Sequence, residues 1–288
     1  MPQSAAQSAA TRGAPSGAQF GMSYQPIVPT GGLIGWGYLS RTLETQTGNF
    51  AKNPEIVRDT EYFTQNINSV RSAEGLVSDR RLMRVALGAF GLQSDIDSRA
   101  FIQKVLEGGT EEPTALANRL SDDRYAEFAR AFGFGNPGGA RTASPTWAQS
   151  IVSKFQRQQF EVAVGNQDES MRLAMDAQRT MPEIGALSGT DETKWFKIMA
   201  SPPLRQVFET ALGLPAAFGQ ADLDIQVTEF ADRAQRQLGI DDLSKLSDPE
   251  VQDAVIRRFL LRDQVASFSQ QSSGAIALTL LQSMPRLY

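Results

Sequence analysis

The sequence predicts an all-α fold, and three kinds of signal predict it. Apolar residues recur at helical spacing, as in Leu82, Val85, Ala86 and Ala89, which fall at i, i+3, i+4 and i+7. Residues that favour helix starts precede such stretches, and glycines follow them. Convincing strand alternation is absent, and residues 24–28 are the one candidate for a short extended piece.

The N-terminal segment is the first element in chain order. Residues 1–22 are rich in Ser, Ala, Gln and Gly and carry a single charge, Arg12. This composition buries too little apolar surface to offset the entropy lost on ordering. We therefore predict a disordered tail, which serves either as a simple tail or as an uncleaved export or docking segment.

A first helical lobe is predicted over residues 33–134. Pro54 suits the first position of a helix because its missing N–H would have no partner there. Ser78 and Ser121 are expected N-caps of later helices. Gly91 is expected to end a helix in the left-handed conformation.

Two linking helices and a second lobe complete the predicted fold. The linking helices occupy residues 145–180 and meet near Gly165. The second helical lobe, residues 190–270, begins where Thr190 is placed to cap a helix. Residues 271–288 form a C-terminal segment.

An internal duplication is predicted to make the two lobes similar. Corresponding apolar residues and glycines recur at a constant offset, and a Leu-Ser-Asp sequence opens a helix in each half. If the repeat is real, the equivalent helices pack alike. The matching sets are Leu82, Val85 and residues 89–92 with Leu204, Val207 and residues 211–214, and Ser121 with Ser247.

Composition limits the possible chemistry, because the chain has no histidine and no cysteine. The Ser-His-Asp and Cys-His arrangements are therefore excluded, as are disulfides, thiolate-bound clusters and the common zinc sites. Carboxylates, Lys, Arg, Tyr, Ser and Thr remain for catalysis. We assign no catalytic, cofactor-binding or metal-binding residue and predict no cofactor.

Charge and hydropathy limit the possible partners and locations. A net charge of −4 gives no electrostatic footprint for nucleic acid. No run of ~18 apolar residues indicates membrane insertion, and no cleaved signal peptide is recognised. Cytoplasmic residence is the default expectation, with export by a signal-less route left open.

Two motifs resemble ligand sites but lack the context that such sites need. Residues 133–138 fit G-x-G-x-x-G, yet a predicted helix precedes them where a dinucleotide site needs a strand. Asp95 and Asp97 have the spacing of cation ligands, but the Gly and Glu of a calcium loop do not follow. We interpret the first as a loop and the second as helix-start carboxylates.

Glu161 and Arg172 form the candidate polar pair. Glu161, Glu169 and Arg172 lie among apolar residues around Gly165. A buried Glu–Arg pair there would lock the two linking helices together or form a polar functional site. Aromatic residues such as Trp147 and Trp195 are interpreted as core residues.

With these segments in view, the chain resembles a bacterial family known as domain of unknown function twelve-seventeen. The resemblance covers about residues 33 to 270, and it names no catalytic residue. Genes of this family tend to lie among flagellar genes, which implies a role in flagellar assembly or function. The stretches that carry the resemblance are residues 58–63, 78–82, 89–92, 101–109, 117–125 and 131–134, with Phe160, Glu161, Val164, Gly165 and residues 171–174 downstream.

Three functions are therefore compatible with the sequence. The first is a non-enzymatic, flagellum-associated structural or interaction protein whose partners are flagellar components. The second is a cytoplasmic flagellar export chaperone or adaptor. The third is an enzyme that uses a carboxylate or Lys in a pocket between the lobes. Nothing in the sequence determines the oligomeric state.

Overall fold

The computed structural model describes residues 23–283, with side chains described through Phe268 except that of Ala216. These residues form α-helices and short 3₁₀ turns without a strand, which confirms the predicted all-α fold. The predicted tail, residues 1–22, lies outside the described residues. The α-helices of the described part are α1 (Gly32–Phe50), α2 (Pro54–Asn66), α3 (Ala73–Ser78), α4 (Arg80–Gly88), α5 (Arg99–Gly108), α6 (Leu116–Arg119), α7 (Arg124–Phe132), α8 (Pro145–Gly165), α9 (Glu169–Gly185), α10 (Asp191–Ala200), α11 (Pro202–Leu212), α12 (Leu223–Leu238) and α13 (Pro249–Ser283).

Helix starts follow capping chemistry, in places a residue or two from the expected position. Pro54 begins α2, and Thr190 caps α10 through its hydroxyl, as predicted. The prediction that Ser78 caps α4 is wrong, because Asp79 takes that role and Ser78 ends α3. The carboxylate of Asp79 accepts two backbone N–H groups and complements the helix dipole. Ser121 likewise precedes the cap of α7 rather than forming it.

The two linking helices lie at the centre of the protein. α8 packs against α1, α2 and α4, while α9 packs against α1, α10, α11 and α13. The helices also pack against each other. One continuous buried core therefore runs through both predicted lobes, from Trp36 to Leu260.

The two lobes share part of their arrangement. α3 packs on α4 and α5, and α10 packs on α11 and α12 in the same order. Gly91 and Gly213, equivalent in the proposed repeat, have φ of 68° and 65°. The last helices differ, because α13 lies along α11 whereas α7 packs on α5 and α6. The internal duplication stays a prediction.

The C-terminal helix α13 spans 35 residues. Its first part is buried through Val255, Phe259 and Leu260. The predicted boundary between residues 270 and 271 falls inside this helix. No helix within residues 23–283, α13 included, has both the length and the apolar character that crossing a membrane requires.

Candidate functional site

Glu161 is buried where α8 faces α9, with 2% of its surface exposed. Arg157, one turn earlier on α8, donates from Nε to Glu161 Oε1 at 2.8 Å. Arg179 on α9 donates from Nε to the same oxygen at 3.3 Å. A carboxylate held between two guanidiniums satisfies its charge inside the protein and ties α8 to α9.

Arg172 does not pair with Glu161, so the predicted Glu161–Arg172 pair is wrong. Arg172 instead donates from Nε to Glu169 Oε2 at 2.9 Å, within its own helix. Side chains on a helix lean toward its N-terminus. Arg172 therefore reaches back to Glu169, while Arg179, two turns further on, reaches back toward Glu161. Arg172 also covers Gly165, where a β-carbon would lie 2.6 Å from Arg172 Cδ.

Asp176 extends the buried network along α9. Its Oδ1 accepts a short hydrogen bond from Arg179 Nη2. Its Oδ2 has no hydrogen-bond partner among the described residues. Burial raises the pKa of Asp176 to about 6, although the positive charge of Arg179 acts in the opposite direction. Burial alone lowers the pKa of Arg179, but Glu161 and Asp176 outweigh it and raise this pKa.

Asp176→Asn is expected to change how stability depends on pH. Because the folded-state pKa is raised, the stabilisation from Asp176 is greatest in acid and is lost as pH rises through about 6. The difference in free energy of unfolding between wild type and Asp176→Asn should therefore change by about 2–3 kcal/mol between pH 4 and pH 7. Urea unfolding at several pH values measures this difference. A constant difference across that range contradicts the prediction.

The buried network has a structural geometry rather than that of a substrate site. Glu161 and Asp176 are 2% and 8% exposed, so a substrate has no direct access to either carboxylate. The sequence analysis did not identify Arg157, Asp176 and Arg179. Their helical spacing could have indicated them, because Arg157 lies four positions before Glu161 and Arg179 three after Asp176. The network positions α8 against α9.

The candidate cation ligands of the sequence have protein partners. Asp95 accepts a hydrogen bond from the Tyr125 hydroxyl at 2.6 Å, and Asp97 binds Arg80 at 2.5 Å. Within the described residues, no three side chains of the His, Cys, Asp and Glu types converge as metal ligands. The loop at residues 133–138 follows helix α7, as predicted, and so lacks the strand of a dinucleotide site.

A groove of 590 Å³ lies between α2, α4 and α8, and the segment before α1 closes one side. Phe155 and Val162 contribute to its apolar surface. Asp59 and Arg84 form an ion pair of 3.2 Å along one wall. Gln159 and Gln93 both line the groove, and Gln159 Nε2 donates a hydrogen bond to Gln93 Oε1 at 2.7 Å. The groove is lined by polar and apolar residues, and four of the polar ones pair with each other across Asp59–Arg84 and Gln159–Gln93.

Residues 23–28, here called the strap, are held through their main chain. Asn53 accepts from the Tyr24 N–H at 2.6 Å and donates to the Tyr24 carbonyl at 2.9 Å. Gln46 pairs with both main-chain groups of Ile27 in the same way, at 2.7 and 3.2 Å. Gln167 donates to the Pro26 carbonyl at 2.8 Å. Asn53 and Gln46 are both buried, so two buried amides recognise the backbone of an extended segment.

An exposed apolar face lies on α13. Leu261, Val265 and Phe268 fall at i, i+4 and i+7 and therefore lie on one side of the helix. Their surfaces are 48%, 69% and 74% exposed. Ile34 of α1 is 79% exposed and follows the helix start that packs against Gln264 of α13. Leu261, Val265 and Phe268, here called the α13 face, form an exposed apolar side of the helix.

Comparisons with known proteins agree with this fold. The crystal structure of protein AGR_C_984 from Agrobacterium tumefaciens is similar, with 29% sequence identity and a TM-score of 0.67, over 83% of this chain and 97% of that one. No curated protein matches the sequence. A family model described as a protein of unknown function, DUF1217, matches residues 89–251, more than half of the chain. The chain therefore belongs to the DUF1217 family.

Proposed function

We propose that this protein is a non-enzymatic, flagellum-associated interaction protein that acts in flagellar assembly or motility. The α13 face is the observation that carries the proposal. Large exposed apolar residues on one helix side are typical of helices that dock into a groove of another protein. The flagellar context comes from the family resemblance described above.

The α13 face is suited to a protein partner of complementary apolar shape. Asp263 is engaged on the body side, since it accepts a hydrogen bond from Ser170 at 2.6 Å. The side chains of Leu261, Val265 and Phe268 are exposed and offer an apolar docking surface. An apolar groove on a flagellar component would cover this surface and exclude water from it.

The buried network argues for a structural rather than a catalytic use of the ionisable residues. Its carboxylates are enclosed and paired with arginines, and the groove's arginines pair with carboxylates as well. General acid–base catalysis needs an ionisable group that a substrate touches. An export chaperone or adaptor would use the same α13 face, but only before its cargo is exported.

The test compares charged substitutions on two exposed apolar surfaces. Val265→Glu with Phe268→Glu should reduce swim-ring diameter by at least half, as should deletion of the gene. Leu223→Glu is the matched control, because Leu223 is 57% exposed on α12. The control should swim like wild type, and all variants should unfold at the wild-type temperature. Normal swimming by the folded α13 variant, or by the deletion strain, contradicts the proposal.

A photo-crosslinking residue at position 268 distinguishes the alternatives. An interaction protein of the flagellum should crosslink to a component of isolated flagella or basal bodies. A chaperone should crosslink to an export substrate in the cytoplasmic fraction, and this result would replace our first proposal with the second. Crosslinking should disappear when Val265→Glu is combined with the probe.

A further inference from the structure

The groove between α2, α4 and α8 contains a buried carboxylate with one free oxygen. Asp59 is 6% exposed, and its Oδ2 accepts a hydrogen bond from Arg84 Nη1 at 3.2 Å. Asp59 Oδ1 accepts no hydrogen bond from any residue that the structure describes, but it keeps access to solvent. Because Asp59 lines the groove, this oxygen is open to a ligand there. A carboxylate oxygen in such a place needs a donor, from water or from a ligand.

Arg84 supplies a donor next to this oxygen. Its side chain lines the groove and is 37% exposed. In the described part of the chain its guanidinium makes a single hydrogen bond, from Nη1 to Asp59. A guanidinium has five N–H groups in one plane, so further donors remain available. The ion pair therefore presents an acceptor and a donor side by side.

Gln93 and Gln159 form a second donor–acceptor pair in the same groove. Gln159 Nε2 donates to Gln93 Oε1 at 2.7 Å, and both residues are half-buried in the lining. Neither side chain makes another hydrogen bond with the described residues. The amide N–H groups of Gln93 and the amide oxygen of Gln159 are therefore a free donor and a free acceptor on neighbouring side chains.

Helix α4 brings the two pairs within reach of one small ligand. Gly88 lies one turn after Arg84, and a β-carbon on Gly88 would lie 3.3 Å from Gln159 Nε2. One helical turn rises ~5.4 Å along the axis. Arg84 and Gln159 therefore meet α4 about one turn apart, a span comparable to that of a six-membered sugar ring.

The charges that line the groove balance one another. Glu55 and Asp59 offset Arg80 and Arg84. Arg80 is paired too, with Asp97 at 2.5 Å. A strongly charged ligand would have to break one of these ion pairs. A ligand with hydroxyl groups leaves both ion pairs intact, because each hydroxyl donates one hydrogen bond and accepts others without carrying charge.

We propose that the groove binds a neutral sugar unit, either as a free saccharide or as part of a glycan. One hydroxyl donates to Asp59 Oδ1, and a neighbouring hydroxyl accepts from Arg84. A further hydroxyl donates to Gln159 Oε1 and accepts from Gln93 Nε2. The strap lines one side of the groove, whose volume of 590 Å³ is sufficient for such a ligand. The site is independent of the flagellar proposal, because no residue of the α13 face lines it.

The binding test uses the full-length chain with an array of immobilised neutral glycans and with neutral mono- and disaccharides in solution. We expect at least one of these sugars to bind. Gln159→Leu removes the acceptor of the second pair and should weaken that binding at least fivefold. Gln158→Leu is the matched control, because Gln158 is half-buried on the same helix and lies outside the groove lining. It should leave the affinity unchanged.

Deoxy sugars test the hydroxyl contacts directly. The analogue of the bound sugar that lacks the hydroxyl on Gln159 should bind wild type at least fivefold more weakly than the parent sugar. It should bind wild type and Gln159→Leu alike, because the contact is then already missing. Gln93→Leu should weaken binding of the parent sugar as Gln159→Leu does, and urea unfolding measures whether each variant stays folded.

The outcomes separate the source of the sugar and the competing ligands. Binding of free saccharides supports recognition of a single unit, and binding of the array alone supports recognition of a longer glycan. Absence of binding to every sugar, or wild-type affinity of both folded glutamine variants, would overturn the proposal. Tighter binding of inorganic phosphate or of free glycine, weakened by Gln159→Leu, would also overturn it, because the groove would then select charge. The swimming test of the α13 face is unaffected by any of these results.

Discussion

Phe132→Ala should lower the free energy of unfolding by about 3–5 kcal/mol, as expected for a large aromatic residue removed from a core. Phe132 lies on α7 and has no exposed surface. Its ring lies 4.9 Å from that of Phe128, 5.0 Å from that of Trp147 and 5.8 Å from that of Phe134, measured between centroids. Truncation therefore leaves a cavity among three aromatic rings that cannot all move into it.

Urea unfolding of the purified protein measures this effect. The midpoint should fall while the slope stays near the wild-type value, since the native and unfolded states keep their exposed areas. Phe196→Ala is the matched control, because Phe196 is 36% exposed on α10. Phe196→Ala should lower the free energy of unfolding by about 1 kcal/mol or less. A Phe132→Ala midpoint equal to that of the control would contradict the packing described here.

The signals that predicted the fold were local ones. The apolar positions Leu82, Val85, Ala86 and Ala89 are all buried, because i, i+3, i+4 spacing places them on one helix side. Thr190 caps its helix as expected, since a side-chain acceptor is needed within the first turn. Such features depend on neighbours within a few residues and can therefore be read from the sequence.

The features that sequence reasoning missed depend on longer distances. The partner of Glu161 across the helix interface is Arg179 rather than Arg172, and the direction in which an arginine side chain leans decides between them. Residues 24–28 were the one candidate for an extended piece, but the side chains of Gln46 and Asn53 that hold this segment were not predicted. Gln46 binds Ile27, 19 positions away, and Asn53 binds Tyr24, 29 positions away. No periodic pattern in the sequence connects residues so far apart.

The α13 face is a second feature that the sequence pattern could not identify. Amphipathic spacing along α13 is visible in the sequence at Leu261, Val265 and Phe268, but a buried helix and an exposed one give the same pattern there. The structure resolves this, because Phe259 and Leu260 are buried against the body while Val265 and Phe268 are exposed. Exposure, which the sequence does not encode locally, is what makes the α13 face a candidate docking surface.

Glu161→Gln should also destabilise the protein strongly, by about 3–5 kcal/mol. The substitution removes the negative charge that Arg157 and Arg179 share, at 2.8 and 3.3 Å. It also places an amide N–H where an acceptor oxygen faced two donors. Removing one partner of a buried ion pair leaves the others charged and without compensation.

Arg172→Met is the control for this substitution. The side chains of Arg172 and Glu169 are 30% and 54% exposed, so their ion pair contributes about 1 kcal/mol or less. In thermal unfolding of the two single variants, the unfolding temperature should therefore fall strongly for Glu161→Gln and only slightly for Arg172→Met. Equal decreases would mean that Arg172, not Arg179, stabilises Glu161 in solution.

A double variant isolates the contribution of the pairing itself. Adding Arg179→Met to Glu161→Gln should cost less than the two single losses together, because the second change removes a charge that the first left uncompensated. Swimming should follow the amount of folded protein in every variant, since the network has no direct access to a partner or substrate. A Glu161→Gln protein that unfolds like wild type, stays as abundant and yet does not support swimming would contradict this. That result would mean that the buried network is a functional site.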